Sequence, residues 1–247
     1  MDPGDIKGGP EGCIIGHYLN RKGVMTEKNS PATDTAPGSP PVFSGLIRKG
    51  GLSVLFSPRI AKEEALKIQD KLVRWRRDLH QIPEIEVDTP QTEAYICRQL
   101  EELGIPYRQG VGGHGVVAIL EGTKKGPVFA IRADMDGLPI REETGLPFAS
   151  TNGNMHACGH DAHAAMGLGS AYILSRNRDA LEGTVKFIFQ PGEEGCKEGP
   201  GGARRMIDDG ALEDPPVDAI IALHTGSIWK EGIRPGEIAV RYGSAMA

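Results

Sequence analysis

Residues 127–136 read Pro-Val-Phe-Ala-Ile-Arg-Ala-Asp-Met-Asp, an apolar run that ends on two carboxylates. Open α/β sheets bind ligands beyond the carboxyl ends of their strands, so acidic residues at such an end are candidates for chemistry. Two runs downstream repeat the pattern. Residues 184–190 (TVKFIFQ) lead into Pro191-Gly192-Glu193-Glu194-Gly195, and residues 217–223 (VDAIIAL) lead into His224. Helical stretches lie between them, at about residues 160–176 and about residues 202–209, the second closed by Gly210. Strand, helix, strand, helix, strand predicts an α/β fold, a mostly parallel sheet flanked by helices. Residues 115–121 (GVVAILE) and 127–133 (PVFAIRA) flank Gly122-Thr123-Lys124-Lys125-Gly126 and read as a hairpin. Further upstream, Ala65, Ile68, Leu72, Trp75 and Leu79 recur at spacings of 3 and 4, the stripe of one amphipathic helix closed by His80 and Pro83. Thr89 as N-cap, Pro90 at N1 and Gly104 at C′ delimit a second helix that buries Ile96, Leu100 and Leu103.

Composition narrows the function. The chain has 247 residues, 39% hydrophobic and 25% charged, which suits a globular protein with a real core. A net charge of −5 argues against a nucleic-acid partner, which needs a basic footprint. No apolar run is long enough for a membrane span. Met1-Asp2-Pro3-Gly4-Asp5 lacks the basic and apolar regions of a secretory signal. Four cysteines are too few for a disulfide framework and suit a reducing, cytoplasmic setting. Residues 1–58 hold 10 Gly and 7 Pro and read as a low-complexity, disordered extension, with the folded unit spanning 59–247.

The densest donor cluster is Met155-His156-Ala157-Cys158-Gly159-His160-Asp161-Ala162-His163. Thiolate, imidazole and carboxylate together suit a divalent first-row metal. In an extended segment Cys158 and His160 share a face. A structural zinc site would favour paired Cys-x-x-Cys spacing, which is absent. Capping or hydrogen-bonded histidines are the other reading of such a cluster. Glu193 and Glu194, if extended, point to opposite sides, so one could coordinate a metal while the other accepts a proton from an activated water. No Gly-x-Ser-x-Gly elbow and no phosphate loop occurs. His17, His80 and His114 lack ligand-type neighbours and read as non-ligands.

Taken together, Arg77-Asp78-Leu79-His80 with Pro83-Glu84, Arg132-Ala133-Asp134-Met135-Asp136-Gly137-Leu138-Pro139-Ile140, the 156–163 segment, Gln190-Pro191-Gly192-Glu193-Glu194-Gly195 and Leu223-His224 resemble the metal-dependent amidohydrolases of N-acyl amino acids. Hippurate hydrolases, N-acetyl-amino-acid deacetylases and indole-3-acetyl-amino-acid hydrolases are of this kind. The resemblance runs from about residue 69 to the C-terminus. It implies an exopeptidase-like catalytic domain holding two divalent ions (Mn, Zn, Co or Ni) and a small-molecule N-acyl amino acid substrate. It also implies Cys158, His160, Glu194 and His224 as metal ligands, Glu193 as general base, and Asp136 as a residue that orients the ligands. Asp134 stands where other branches carry a metal-binding His and is not expected to ligate. Against that pattern the catalytic domain is incomplete. The lid through which the family dimerises, and one more His ligand beyond it, would follow residue 247, so the chain reads as an N-terminal part. Two rivals remain: an aminopeptidase or dipeptidase of the same superfamily, and a non-catalytic metal-binding fragment.

Overall fold

The structure, a computed structural model, describes residues 13–16, 58–225 and 238–241. In chain order these form β1 (Cys13–Gly16), α1 (Pro58–Lys67), α2 (Gln69–His80), α3 (Pro90–Glu102), β2 (Tyr107–Val111), β3 (Gly115–Glu121) and β4 (Lys124–Asp134). There follow α4 (His160–Arg176), β5 (Glu182–Gln190), α5 (Gly202–Asp208), β6 (Ala219–Thr225) and β7 (Ile238–Arg241). All seven strands join one sheet in the order β2-β3-β5-β4-β6-β1-β7. Its centre, β5-β4-β6, is parallel, with Ala130 of β4 paired to Lys186 on one side and Ile220 on the other. These are the three strands whose ends the sequence singled out. β3 pairs antiparallel with β5, β2 antiparallel with β3, and β1 antiparallel with β6. The sheet is therefore mixed, with a parallel core.

The hairpin expected between β3 and β4 does not form, because β5 lies between them. The connection instead crosses the start of β5, where Gly122 N–H donates to Gly183 O at 2.8 Å and Thr123 N–H to Leu181 O at 3.2 Å. Three backbones meet there without side chains. A Cβ on Gly122 would overlap Leu181 O, and Gly183 takes φ +91°. The glycines that suggested a tight turn serve this close approach.

Period-two alternation sets the two faces of the sheet. Val116, Ala118 and Leu120 of β3 and Val185, Phe187 and Phe189 of β5 pack with Trp75 and Leu79 of α2, Ile96 and Leu100 of α3, and Leu168 and Ala171 of α4. Val117, Ala130 and Ile188 face the other way, under Met206 of α5, Ala211 and Val217. Each such fully buried apolar side chain contributes roughly 1.5–3 kcal/mol. Lys186 shares this second face, is 1% exposed, and donates from Nζ to Ala211 O at 3.2 Å and to Glu213 O. Its charge is thus met by backbone carbonyls of the 210–216 turn, while burial lowers its pKa.

Two details of the helices depart from expectation. The single amphipathic helix is two, broken at Ile68, where φ is −106° and ψ 13°. Thr89 makes no side-chain cap for α3, and its hydroxyl is buried without a partner. Glu84 does that work from five residues further back. Its carboxylate accepts the N–H groups of Gln91 and Thr92, at 3.0 Å each, where the helix dipole favours a negative charge. β1 falls inside the segment read as an extension, and its four residues pair in the sheet. The rest of 1–57, and the expected disorder there, lie outside the described residues. No helix among the described residues is long and apolar enough to cross a membrane.

Candidate metal centre

Four segments converge at the carboxyl edge of the parallel strands. α4 begins at His160, and its N-cap Gly159 adopts φ +86°, a left-handed turn that a side chain would resist and where a Cβ would also overlap Thr225 Oγ1. Cys158 and His160 therefore meet across a turn, not along an extended segment. The ends of β4, β5 and β6 supply Asp134 and Asp136, Glu193 and Glu194, and His224. Glu193 and Glu194 also depart from the extended geometry: the chain bends, with Gly192 at φ +62° and Gly195 at φ +107°. Their carboxylates consequently point the same way. Glu193 Oε2 lies 3.7 Å and Glu194 Oε1 3.8 Å from His160 Nε2.

Ligand-type atoms of Cys158, His160 and His224 lie within 4.8 Å of one another, as do those of His160, Glu193 and Glu194. Every residue singled out in the sequence as ligand or base is in this cluster. The hydrogen bonds fix the tautomers. His160 Nδ1 donates to the carbonyl of Asp136 at 2.9 Å, which turns Nε2 toward the cluster. His224 Nδ1 donates to the carbonyl of Thr225 at 2.6 Å, and its Nε2 sits 3.4 Å from Cys158 Sγ. Both imidazoles thus turn Nε2 inward, the orientation metal-bound histidines adopt. Asp136, fully buried, also accepts the Glu194 N–H on Oδ2 at 3.1 Å. It touches two of the converging segments at once.

The electrostatics of the cluster favours positive charge. Burial disfavours charge on His160, but the neighbouring Asp136, Cys158 and Asp134 outweigh it and lift the pKa to about 11. His160 Nε2 is nevertheless buried and has no hydrogen-bond partner. The neighbouring His160 and the bond with His224 lower the pKa of the Cys158 thiol against the effect of burial. Burial, with the charge of Asp134, raises Glu193 and makes it a better proton acceptor. A soft thiolate, two neutral-capable imidazoles and two carboxylates around one orphaned nitrogen are a donor set for divalent metal. A surface recess of about 500 Å³ between α2 and Pro147–Phe148 contains none of these groups.

Three residues named in the sequence without a role take part beside the cluster. Arg132, Asp134 and His163 form a buried chain beside the cluster, with Asp134 Oδ2 3.2 Å from His163 Nδ1. Asp134 keeps a lowered pKa because the His163 bond and Arg132 overcome its burial. The three-residue step from His160 to His163 on α4 was the available signal, since it places both on one helix face.

Residues 130–246 match the model of peptidase family M20/M25/M40. N-acetyl-L-cysteine deacetylase of Bacillus subtilis (strain 168) is 42% identical over 181 residues, 73% of this chain and 41% of that protein. N-acyl-L-amino acid amidohydrolase of Geobacillus stearothermophilus is 40% identical over 193 residues, 76% of this chain and 50% of that protein. The crystal structure of a dinuclear metal binding peptidase of the M20 family from Bacillus subtilis superposes with a TM-score of 0.55 at 46% identity. It covers 60% of this chain and 40% of that one. The chain spans less than half to half the length of these curated relatives.

Proposed function

We propose that the chain, which resembles the M20/M25/M40 peptidase family over residues 130–246, serves metal-dependent hydrolysis of the amide bond of N-acyl amino acids. The products are a carboxylic acid and an amino acid. The observation that carries this reading is His160 Nε2, buried, unpartnered, and faced by the thiol of Cys158 and the carboxylates of Glu193 and Glu194. Cys158, His160, Glu194 and His224 would hold two divalent ions, with Mn, Zn, Co and Ni all compatible with this donor set. Bound there, the ions would polarise the amide carbonyl and acidify the attacking water. Glu193 takes the proton as the water oxygen bonds to the carbonyl carbon. It then delivers that proton to the amine nitrogen as the C–N bond breaks. Asp136 holds His160 and the 193–195 turn in register, the outer support that ligands need.

We assign this chemistry to residues 59–247 and treat 1–58, apart from the paired Cys13–Gly16, as an extension outside it. A reducing compartment such as the cytoplasm suits the free thiols Cys97, Cys158 and Cys196. The substrate is a small molecule.

The test is release of free amino acid from N-acetyl substrates by metal-loaded protein. Glu193→Gln should lower kcat by about 10²–10⁴, the usual scale of general acid–base catalysis, while metal binding persists. Wild-type turnover in that variant removes Glu193 from the chemistry. The peptidase names within the family favour a second reading, cleavage of dipeptides. Faster turnover of substrates with a free α-amine than of their N-acyl counterparts would establish it.

A further inference from the structure

Asp134, His160 and His163 also bring ligand-type atoms within 4.8 Å of one another, and by distance alone would make a further cation site. The hydrogen bonds exclude it. His163 Nε2 accepts the backbone N–H of Thr225 at 2.9 Å, which makes Nδ1 the protonated nitrogen, 3.2 Å from Asp134 Oδ2. Neither ring nitrogen keeps a lone pair for a metal. His160 and His224 differ on this point, because each spends only Nδ1 on a carbonyl. Asp134 is paired with Arg132. Arg132 Nη1 donates to its Oδ2 at 2.9 Å, Nη2 closes on Oδ1, and Arg132 Nε is anchored on Gln190 Oε1 at 2.9 Å.

We infer that Arg132, Asp134 and His163 form a brace that positions His224 and do not themselves ligate metal. The brace ends on Thr225, the residue that governs His224 from both sides. His163 fixes the Thr225 N–H, and the Thr225 carbonyl accepts the proton of His224 Nδ1. The His163 and His224 rings also meet edge to face, with centroids 4.5 Å apart. Tilting His163 would free the strand end and let the His224 ring turn its Nε2 away from Cys158. Since β4 carries Arg132 and Asp134, α4 carries His163 and β6 carries His224, the brace transmits the alignment of three elements to one donor atom. It rests on the reading of His224 as a ligand.

The experiment uses the 247-residue chain with Co²⁺, reading the thiolate-to-cobalt charge-transfer band, the number of ions bound at saturation, and affinity against a chelating indicator. Wild-type protein shows the band if Cys158 ligates. Its absence overturns the ligand assignment and the brace with it. Given the band, His163→Leu should weaken Co²⁺ binding about 10–100-fold, the cost of losing an outer support, with the number of ions at saturation unchanged. His163→Gln can accept from Thr225 and donate to Asp134 through one side chain, and should restore affinity to near the wild-type value. Asp134→Asn, which keeps the shape but loses the ion pair with Arg132, should fall between them, and it decides the matter if His163→Leu does not fold. Wild-type affinity in His163→Leu or in Asp134→Asn overturns the brace. One ion fewer at saturation in His163→Gln overturns it too, by making His163 a ligand.

Discussion

His80 lies between two carboxylates that reach it from different parts of the chain. Its Nδ1 is 2.8 Å from Asp161 Oδ2 and its Nε2 3.1 Å from Glu142 Oε1. Both nitrogens face acceptors, so both donate and the ring is an imidazolium. The bond to Asp161 raises its pKa most, burial opposes, and Glu142 adds to the rise. A folded-state pKa above the ordinary value stabilises the fold fully below about pH 6.5, and that stabilisation is lost as pH climbs through the folded value. His80→Gln in the metal-free protein should therefore cost about 3 kcal/mol at mildly acidic pH, the scale for removing one partner of a buried pair. The gap in Tm to wild type should narrow toward alkaline pH, and a gap of constant size would show that His80 is uncharged in the fold. Nothing in the sequence near His80 announces this. Its partners are 81 and 62 positions away, and reading neighbours along the chain made it a bland helix-terminal residue. Cys158, His160, Glu193, Glu194 and His224 were legible because each follows an apolar run or shares a dense motif. Their tautomers and the convergence of both glutamates on one nitrogen depend on turns at Gly159 and Gly192 whose φ values no local pattern fixes.

Elements were easier to foresee than their partners. α4 begins at His160 and ends at Arg176, and β3 spans Gly115–Glu121, both where periodicity and apolar runs put them. The neighbour of β3 was misread because pairing is a contest among all strands, and β5 offers it six residues of antiparallel register, Val116–Glu121 against Thr184–Phe189. The close crossing that results depends on Gly183, whose φ is +91° and whose added Cβ would overlap Pro127 O. Gly183→Ala should lower stability by at least about 2 kcal/mol, through backbone strain and that overlap. Because Gly183 is the second residue of β5 and the cluster lies past its other end, more than roughly 20 Å along the strand, cobalt affinity should stay unchanged. Equal urea midpoints for variant and wild type would refute the crossing.

Across the molecule, the candidate ligands come from the start of α4 and from the ends of β5 and β6, so a bound ion ties segments up to 66 residues apart in the Cys158–His224 pair. Binding to the folded state alone stabilises it by mass action, about 2.7 kcal/mol at a free metal concentration of 100 times Kd. Metal should raise Tm and chelator should reverse the rise. A Tm indifferent to both would mean that the cluster binds nothing. On the face of the sheet beneath α5, Lys186 is among the largest of the fully buried side chains of the described residues. Its amine is sealed beneath the 210–216 turn, out of reach of any electrophile dissolved in the surrounding water. An acylating reagent can mark it only during the moments when that layer lifts, so the mark keeps time on the breathing of the sheet's far side.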